Sequence, residues 1–335
     1  MSASMSQQPR EFSPGILDWS TVHKPTGELF PPVKDKNEWN KFKWSQDQVD
    51  QFRRDGFLLH VPLLTEEQCD KILEDFKYFM DPRARHPGHA MLYEFHANQC
   101  NDPNNVVMHV LGHWRLTKAL HDLVFLPQVV VPASQLVDES CPEAAVRLWT
   151  DQLFLKPPRH GGVVAWHQDY SYWVRTKPMK HITVHIALDD QTEENGCIQY
   201  VPGSHRWTRN GDPFPVLDHS FRDMEGIKSI LTDEEKAAFK PVPALLKKGH
   251  ASFHNAMTVH GSYDNKTDKP RRAAVLNYFA DGVYSDTDKA MLRGNSGTDT
   301  DENLDDKLSQ ETIIPKGHKM EGQFFPLVYD PAWTK

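Results

Sequence analysis

The 335-residue chain carries 38 Lys and Arg against 46 Asp and Glu, a formal net charge of -8, and 39% hydrophobic residues. This length suits two average domains, or one large domain with insertions and an arm. The composition can bury a sizeable core, which excludes global disorder and collagen-like repeats, and the acidic balance argues against nucleic acid as a main partner. Eighteen histidines against four cysteines raise the question of how many bind metal.

No targeting or membrane signal stands out in the chain. The first ten residues lack the apolar stretch of a signal peptide, and no apolar run approaches the roughly 20 residues that span a bilayer. The last residues are not a peroxisomal address. The four cysteines form no C-x-x-C pair, which favours a reducing compartment. We therefore expect a cytoplasmic protein without a membrane segment.

The N-terminal part predicts an arm followed by a helical layer. Residues 1–44 are rich in Pro, Lys and Ser, which is typical of an arm lying on a domain surface rather than a domain of its own. Capping boxes at 45–48 and 65–68 predict two helix starts, because a hydroxyl and a Gln satisfy the free N–H groups there. The first helix is expected to stop at Gly56, and 57–61 reads as a strand.

The second half predicts a β domain. From about residue 145, short strands alternate with turn residues, the pattern of a sandwich or barrel. Asn195-Gly196 predicts a hairpin because both residues tolerate positive φ. Residues 205–245 form an insertion with a helical piece at 232–239, so we predict one domain over 45–335. The predicted strands are 147–155, 181–188, 197–201, 250–254 and 272–279.

A candidate metal site begins with His167-Gln168-Asp169. An imidazole and a carboxylate two residues apart lie on one face of an extended segment and can reach one metal ion. About one H-x-D is expected by chance in such a chain, so the pair needs support. The support comes from the surrounding aromatic residues and from a second histidine, His260, about 90 residues further along the chain. Two histidines and one carboxylate leave three positions open, as in non-heme Fe(II) oxygenases, whereas zinc prefers a closed tetrahedron.

An arginine on the adjacent predicted strand completes this interpretation. The rigid guanidinium fork can bind the distal carboxylate of a co-substrate through two hydrogen bonds. Because side chains alternate along a strand, Arg271 is expected to point inward and Arg272 to the other face.

Four ordered segments resemble one known family. They are 49–57, Trp166–Asp169, Glu194–His205, and 260–262 followed by Asn265 and Arg271. In these motifs the chain resembles the phytanoyl-CoA dioxygenase family of Fe(II)- and 2-oxoglutarate-dependent oxygenases. The resemblance implies a mainly β fold with flanking helices around a double-stranded β-helix, the cupin-like jelly roll.

The resemblance also implies a ligand set. Fe(II) would be held by His167, Asp169 and His260. The co-substrate 2-oxoglutarate would chelate the iron, with its far carboxylate meeting Arg271 and the Ser262 hydroxyl.

Two further positions come from the same resemblance. Gln152 stands where the family often contacts the co-substrate, and an ordinary polar strand residue is the alternative. His185 stands where some members place a Trp beside the co-substrate; this departure leaves that contact open, and a hydrogen-bonded core histidine is the alternative.

The activity implied is hydroxylation of a C–H bond of a small molecule by dioxygen, with succinate and CO2 as co-products. Asp169 disfavours halogenation, since related iron halogenases carry a small residue there. Desaturation, demethylation or ring formation in natural-product metabolism are alternatives within the enzyme class. A non-catalytic metal-binding jelly roll is a further alternative, against which the complete triad and Arg271 argue.

Candidate substrate contacts follow the metal motif. Tyr170, Tyr172, Trp173 and Arg175 are close enough to it to line the mouth of the pocket. Core packing is the alternative for the aromatic residues, and a surface salt bridge for Arg175. His254 precedes the second ligand histidine and is expected either to serve the site or to be a satisfied core residue.

Two more expectations concern other parts of the chain. His109, His113 and His121 lie on a polar, helix-like stretch and are predicted to be exposed. The segment 320–327 is expected either to close over the barrel mouth or to form a homodimer contact.

Overall fold

The computed structural model describes residues 8–80, 87–97, 108–159, 162–216, 224–292 and 310–334. Helices α1 to α6 span Lys36–Asn40, Gln46–Asp55, Glu66–Met80, Lys118–Leu123, Pro127–Leu136 and Asp233–Ala238. Strands β1 to β8 span Arg10–Ser13, Ile16–Asp18, Phe57–Pro62, Glu94–Ala97, Met108–Leu111, Val146–Lys156, Val164–His167 and Thr176–Lys177. Strands β9 to β16 span His181–Ala187, Ile198–Tyr200, Val242–Pro243, His250–Asn255, His260–Ser262, Arg271–Ala280, Tyr284–Ser285 and Leu327–Tyr329. Within these ranges, no helix is long and apolar enough to cross a membrane.

Two antiparallel sheets form the core. The larger one runs in the order β3-β12-β9-β14-β6-β5-β4, with β16 paired to β6, and the smaller one runs β11-β10-β13-β7. From β6 onward the chain passes repeatedly from one sheet to the other: β7, β10 and β13 lie in the smaller sheet, and β9, β12 and β14 in the larger. This winding is that of a jelly roll, so the predicted fold class is confirmed.

The N-terminal helical layer forms as its capping residues predict. Ser45 and Gln48 make both hydrogen bonds of a capping box at the start of α2. The helix ends at Gly56, whose φ of 85° is left-handed. A Cβ atom there would lie 2.4 Å from the ring of His205, so only glycine lets the chain turn so close to the segment after β10. The next strand, β3, then joins the edge of the larger sheet beside β12.

The hairpin predicted at Asn195-Gly196 is wrong. The strand before it, β9, pairs with β12 and β14, whereas β10 after it pairs with β11 and β13 in the other sheet. Gly196 does have a positive φ of 72°, and a Cβ atom there would lie 2.3 Å from the Tyr263 carbonyl oxygen. The glycine therefore serves a connection between sheets, which short-range turn chemistry does not distinguish from a hairpin.

The N-terminal arm is tied to the core by buried carboxylates. Asp18 is fully buried and accepts hydrogen bonds of 3.1 and 2.6 Å from the Arg115 guanidinium. Asp122 on α4 accepts hydrogen bonds from backbone N–H groups of segment 26–29 at 2.5, 2.7 and 3.0 Å. The boundary placed at residue 44 stays a prediction, but segment 18–30 contributes buried side chains to the core.

The predicted exposure of three histidines is wrong. His113 and His121 are fully buried, and His109 is partly buried on strand β5. His121 stacks on the ring of Trp114, with centroids 5.6 Å apart and planes 21° from parallel. His109 stacks on Phe154 and His113 meets Phe76 edge-on, and a polarity pattern along the chain does not reveal such packing.

The insertion and the C-terminal segment each bury hydrophobic side chains in a cluster of their own. The insertion, described except for 217–223, buries Phe214 and Ile227 beside Trp166 of β7, and its helix α6 begins at the capping box of Thr232. In the segment 320–327, Met320, Phe324 and Phe325 are buried within this chain against Trp149. The segment therefore packs within this chain beside Trp149 of the cavity wall; closure over the barrel mouth and a homodimer contact stay predictions.

Candidate active site

The three predicted metal ligands meet at one end of the smaller sheet. His167 is the last residue of β7 and pairs directly with His260, the first residue of β13. Their ring centroids are 4.2 Å apart. Asp169 follows two residues after His167 in a short 3-10 turn. Strand pairing thus brings residues 93 positions apart to one point, and one ligand atom of each of the three lies within 4.8 Å of the others.

Both imidazoles present the same nitrogen toward Asp169. Nδ1 of His167 donates to the Ala165 carbonyl at 2.7 Å, and Nδ1 of His260 donates to the Thr258 carbonyl at 2.9 Å. Because a carbonyl oxygen only accepts, Nδ1 carries the proton and Nε2 keeps its lone pair. Each Nε2 lies 3.5 Å from Oδ1 of Asp169. This arrangement orients three lone-pair donors toward one point.

The protonation states also fit a metal centre. Burial, together with the nearby His167, holds the pKa of His260 well below its usual range, so this imidazole is neutral. Burial by itself would raise the pKa of Asp169, but His260, His167 and His254 outweigh it and hold that pKa well below its usual range. Neutral imidazoles and an ionised carboxylate are the forms in which these side chains bind metals.

A cavity of about 380 Å³ opens beside the three ligands. Its volume is that of a pocket for a small organic molecule. Tyr172, 40% exposed, stands at its mouth. Most of the remaining wall away from the ligands is aromatic or aliphatic: Tyr93, Leu111, Trp149, Phe154, Trp173 and Leu292.

Arg271 lies in the wall of this cavity as a buried cation. It is 3% exposed, and its Nε has no hydrogen-bond partner among the described residues. Burial lowers its pKa to about 10, so the guanidinium is still charged at neutral pH. A buried charge costs free energy unless it is paired, so this position favours an anion. Arg272 points to the other face, as predicted, and pairs with Asp189 at 2.6 Å.

The other predicted co-substrate residues line the same cavity. Ser262 is buried at the end of β13. His185 shares a hydrogen bond with the Gln191 amide at 3.0 Å, and burial lowers its pKa to about 3, so it is neutral. Gln152 donates to Asn277 at 2.6 Å.

The predicted substrate residues divide into two groups. Tyr172, Trp173 and Arg175 line the cavity. Tyr170 points away from it: its hydroxyl donates to the Thr176 carbonyl and its ring is buried in the core beside the cavity. The chain turns after Asp169 and directs Tyr170 into the core, so nearness in sequence did not place Tyr170 at the mouth. Arg175 donates to the Ala290 carbonyl at 3.0 Å.

His254 contacts a predicted ligand, and one partner of that ligand was missed. Nε2 of His254 donates to Oδ2 of Asp169 at 3.1 Å, and the Thr183 hydroxyl donates to the same oxygen at 2.6 Å. Thr183 was not predicted, although its position on an inward-facing row of the predicted strand 181–188 was readable from the two-residue period. Which group it faces depends on how the strands and the turn at residue 169 come together.

The chain is similar to known proteins in sequence and in fold. A family model described as phytanoyl-CoA dioxygenase matches residues 52–273, more than half of the chain. A phytanoyl-CoA dioxygenase domain-containing protein 1 homolog of Caenorhabditis briggsae is 35% identical over 125 residues, 36% of this chain and 42% of that protein. The chain therefore aligns with less than half of that relative.

Two longer alignments agree with this match. A probable alpha-ketoglutarate-dependent hypophosphite dioxygenase of Stutzerimonas stutzeri is 25% identical over 253 residues, 72% of this chain and 83% of that protein. Among solved structures, the non-heme alpha-ketoglutarate-dependent carbocyclase SnoK of nogalamycin biosynthesis has a TM-score of 0.62 at 22% identity, covering 89% of this chain and all of SnoK. The structural likeness supports the jelly-roll fold.

Proposed function

The chain belongs to the phytanoyl-CoA dioxygenase family, and we propose that it is an Fe(II)- and 2-oxoglutarate-dependent dioxygenase that hydroxylates a C–H bond of a small molecule. One observation carries the proposal. Two Nε2 lone pairs and one carboxylate oxygen converge on a cavity wall that also holds a buried guanidinium with no counter-ion in the described part of the chain. Alpha-ketoglutarate is another name for 2-oxoglutarate, so the relative named as an alpha-ketoglutarate-dependent hypophosphite dioxygenase supports 2-oxoglutarate as the co-substrate.

The ligands of the iron would be His167, Asp169 and His260. Two imidazoles and one carboxylate suit Fe(II) and leave three coordination positions for co-substrate and dioxygen. Bound there, the iron supplies the electron transfer that activates dioxygen, which no side chain of the cavity can supply. A carboxylate at position 169 occupies the place that a halide would need, so hydroxylation is favoured over halogenation.

The far carboxylate of 2-oxoglutarate would meet Arg271 and Ser262. A guanidinium binds a carboxylate through two charge-assisted hydrogen bonds, and a hydroxyl adds a third donor. This anchoring would fix the orientation of the co-substrate before the reaction. Its oxidative decarboxylation would place one oxygen atom of dioxygen in succinate, release CO2 and leave the other oxygen atom for the substrate.

The cavity wall would hold the substrate and exclude water. Trp149 and Trp173 are buried, and the segment 320–327 packs behind them, so the wall on that side is closed to solvent. A dry pocket protects reactive species from side reactions. Tyr172 and Arg175 would contact the substrate near the mouth.

Succinate formation tests the proposal. Purified protein is incubated with Fe(II), ascorbate, 2-oxoglutarate and a broad metabolite pool, and succinate and any product heavier by one oxygen atom are measured by mass spectrometry. We expect both signals from the wild type and neither from Asp169→Ala. Asp189→Asn, a carboxylate change at the Arg272 pair outside the cavity, is the matched control and should keep both signals. Equal succinate formation by wild type and Asp169→Ala would contradict the proposal.

A further inference from the structure

The carboxylate of Asp169 is held so that only one of its oxygens faces the proposed metal. Oδ2 accepts a hydrogen bond from the Thr183 hydroxyl at 2.6 Å and another from His254 Nε2 at 3.1 Å. Oδ1 is the oxygen that lies 3.5 Å from both ligand imidazoles. Two donors on Oδ2 use the lone pairs through which it could also bind a metal.

The donor at Thr183 belongs to a chain of side chains that crosses four adjacent strands. Asn277 Nδ2 lies 2.9 Å from the Thr183 hydroxyl, Gln152 Nε2 lies 2.6 Å from Asn277 Oδ1, and His109 Nε2 lies 2.7 Å from Gln152 Oε1. These residues stand on β9, β14, β6 and β5, which are neighbours in the larger sheet. The outer end, His109, lines the cavity.

One fact about Asp169 sets the direction of every bond in this chain. A carboxylate only accepts, so Thr183 gives Asp169 its single hydrogen and must itself accept from the Asn277 amide nitrogen. The oxygen of Asn277 then faces Gln152, which must present its own amide nitrogen. The oxygen of Gln152 in turn faces His109, so Nε2 of His109 carries a proton. All four groups donate toward Asp169.

A second, shorter chain reaches the same oxygen. Because His254 donates to Asp169 through Nε2, its Nδ1 accepts from the Tyr200 hydroxyl at 3.2 Å. That hydroxyl in turn accepts from Ser252 at 2.8 Å. Tyr200 and Ser252 are fully buried, so water does not compete for these bonds.

We propose that these two converging chains fix Asp169 as a ligand through Oδ1 alone, with Thr183, Asn277 and Gln152 as its positioning residues. Aligned donors polarise one another and strengthen the bond to the anion, and partners of a metal ligand set its orientation. Both ends of the Gln152 amide take part in the chain, so Gln152 supports Asp169 through Asn277 and Thr183. The inference depends on the proposed function, because it assumes a metal ion at the three ligands.

Binding of Fe(II) to the metal-free protein, measured by calorimetry without dioxygen, tests the first link. Thr183→Val removes the hydroxyl and keeps the shape, and we expect affinity to fall about 10- to 100-fold. Thr183→Ser restores a donor and should return affinity to near the wild-type value. The matched control is Thr150→Val. Thr150 lies on β6 in register with Asn277 of β14, and its hydroxyl donates to the Asp151 carbonyl and not to the chain of side chains. This variant should bind Fe(II) as the wild type does.

An isosteric variant tests the direction of the chain. In Gln152→Glu the new carboxylate cannot donate, so the Asn277 amide must turn its nitrogen to residue 152 and its oxygen to Thr183. The Thr183 hydrogen then has two competing acceptors, and we expect Fe(II) affinity to fall about 10-fold, the lower end of the range for partners of a metal ligand. This site lies away from the metal, so the variant keeps the test valid if Thr183→Val fails to fold.

The outcomes separate this inference from the proposed function. No Fe(II) binding by the wild type would overturn the proposed function and this inference together. Wild-type affinity in a folded Thr183→Val, equal losses in Thr183→Val and Thr183→Ser, or an equal loss in Thr150→Val would overturn only the positioning role. An unchanged Gln152→Glu would overturn the chain beyond Asn277.

Discussion

Two regions of this protein bury the same kinds of side chain, and one of them lines the cavity beside the candidate ligands. The arm-side cluster, made of Asp18, Arg115, Asp122 and Asp151, ties the N-terminal arm to the core. There Arg115 meets Asp18 at 2.6 Å, and Asp122 and Asp151 accept backbone N–H groups. Each of these charged groups has a partner within the chain.

The cavity region differs in what it leaves without a partner. Arg271 is as buried as Arg115, yet no carboxylate pairs with it among the described residues. The Nε2 lone pairs of His167 and His260 converge on one point beside it. The comparison teaches that burial of charged residues does not by itself mark a functional site, whereas buried groups that lack a partner beside an opening do.

The largest effect that would sharpen this contrast is loss of the metal. We expect His167→Ala to bind no Fe(II) in calorimetry and to give only background succinate, since two ligands do not hold the ion against water. His113→Ala, a buried histidine near the arm-side cluster, is the matched control: it should lower the melting temperature but leave Fe(II) affinity of the folded protein unchanged. Loss of Fe(II) binding in a folded His113→Ala would break the contrast.

The next effect compares the two buried arginines in stability. Arg115→Met removes the buried cation that pairs with Asp18 and leaves that carboxylate with Ser20 and the exposed Arg10 at 3.6 Å, and we expect the free energy of unfolding to fall by about 3–5 kcal/mol. Arg271→Met leaves no carboxylate behind, so it should cost little stability or increase it. Denaturant unfolding of both variants measures this; a larger loss in Arg271→Met than in Arg115→Met would contradict the assignment of Arg271 as an unpaired cation.

The same arginine is expected to control co-substrate binding. In Arg271→Met the KM for 2-oxoglutarate should rise about 10- to 100-fold, the range for losing a charge-assisted hydrogen bond, while Fe(II) affinity is kept. Arg272→Met, one residue along on the other face, is the control and should leave the KM unchanged. A rise in KM of the same size in both variants would show that the strand and not the inward guanidinium is responsible.

The smallest effect concerns pH. Burial lowers the pKa of His121 to about 4, below the ordinary value of 6.5 that applies in the unfolded chain. Between these values the unfolded chain takes up a proton that the folded protein does not, so stability is complete above pH 6.5 and falls as the pH drops toward 4. In His121→Phe the slope of the free energy of unfolding against pH should be smaller by about 1.4 kcal/mol per pH unit in this range.

Unfolding by denaturant at several pH values between these limits checks this slope. His318→Gln, a change at an exposed histidine, should leave the slope as in the wild type. A slope that is the same in His121→Phe and in the wild type would show that His121 is not the group that resists protonation.

Local pattern predicted much of the candidate site. His167 and Asp169 were found because a two-residue spacing puts both on one face of an extended segment. The inward direction of Arg271 against Arg272 follows from the same alternation. The capping box at Ser45 is equally local, since all its partners lie within four residues.

The errors came from partners that are distant along the chain. The turn at Gly196 was predicted, but not that it joins two sheets. The polarity of His113 and His121 suggested exposure, because Phe76 and Trp19, which pack on them from other elements, are distant along the chain. Thr183 and Asn277 carried no motif, and their role depends on the register of β9 against β14.

The sequence by itself determined a β domain, the pair His167 and Asp169 and the inward arginine, because each depends on strand alternation, and its resemblance to a family implied the jelly roll and His260 as the third ligand. Only the tertiary structure decided which groups lie beside the candidate ligands. The pairing of β7 with β13 sets two imidazoles side by side, and the order β5-β6-β14-β9 aligns four donors toward Asp169. Hydrogen bonds between strands need side chains within about 3 Å, and only the register of the folded sheets brings them that close.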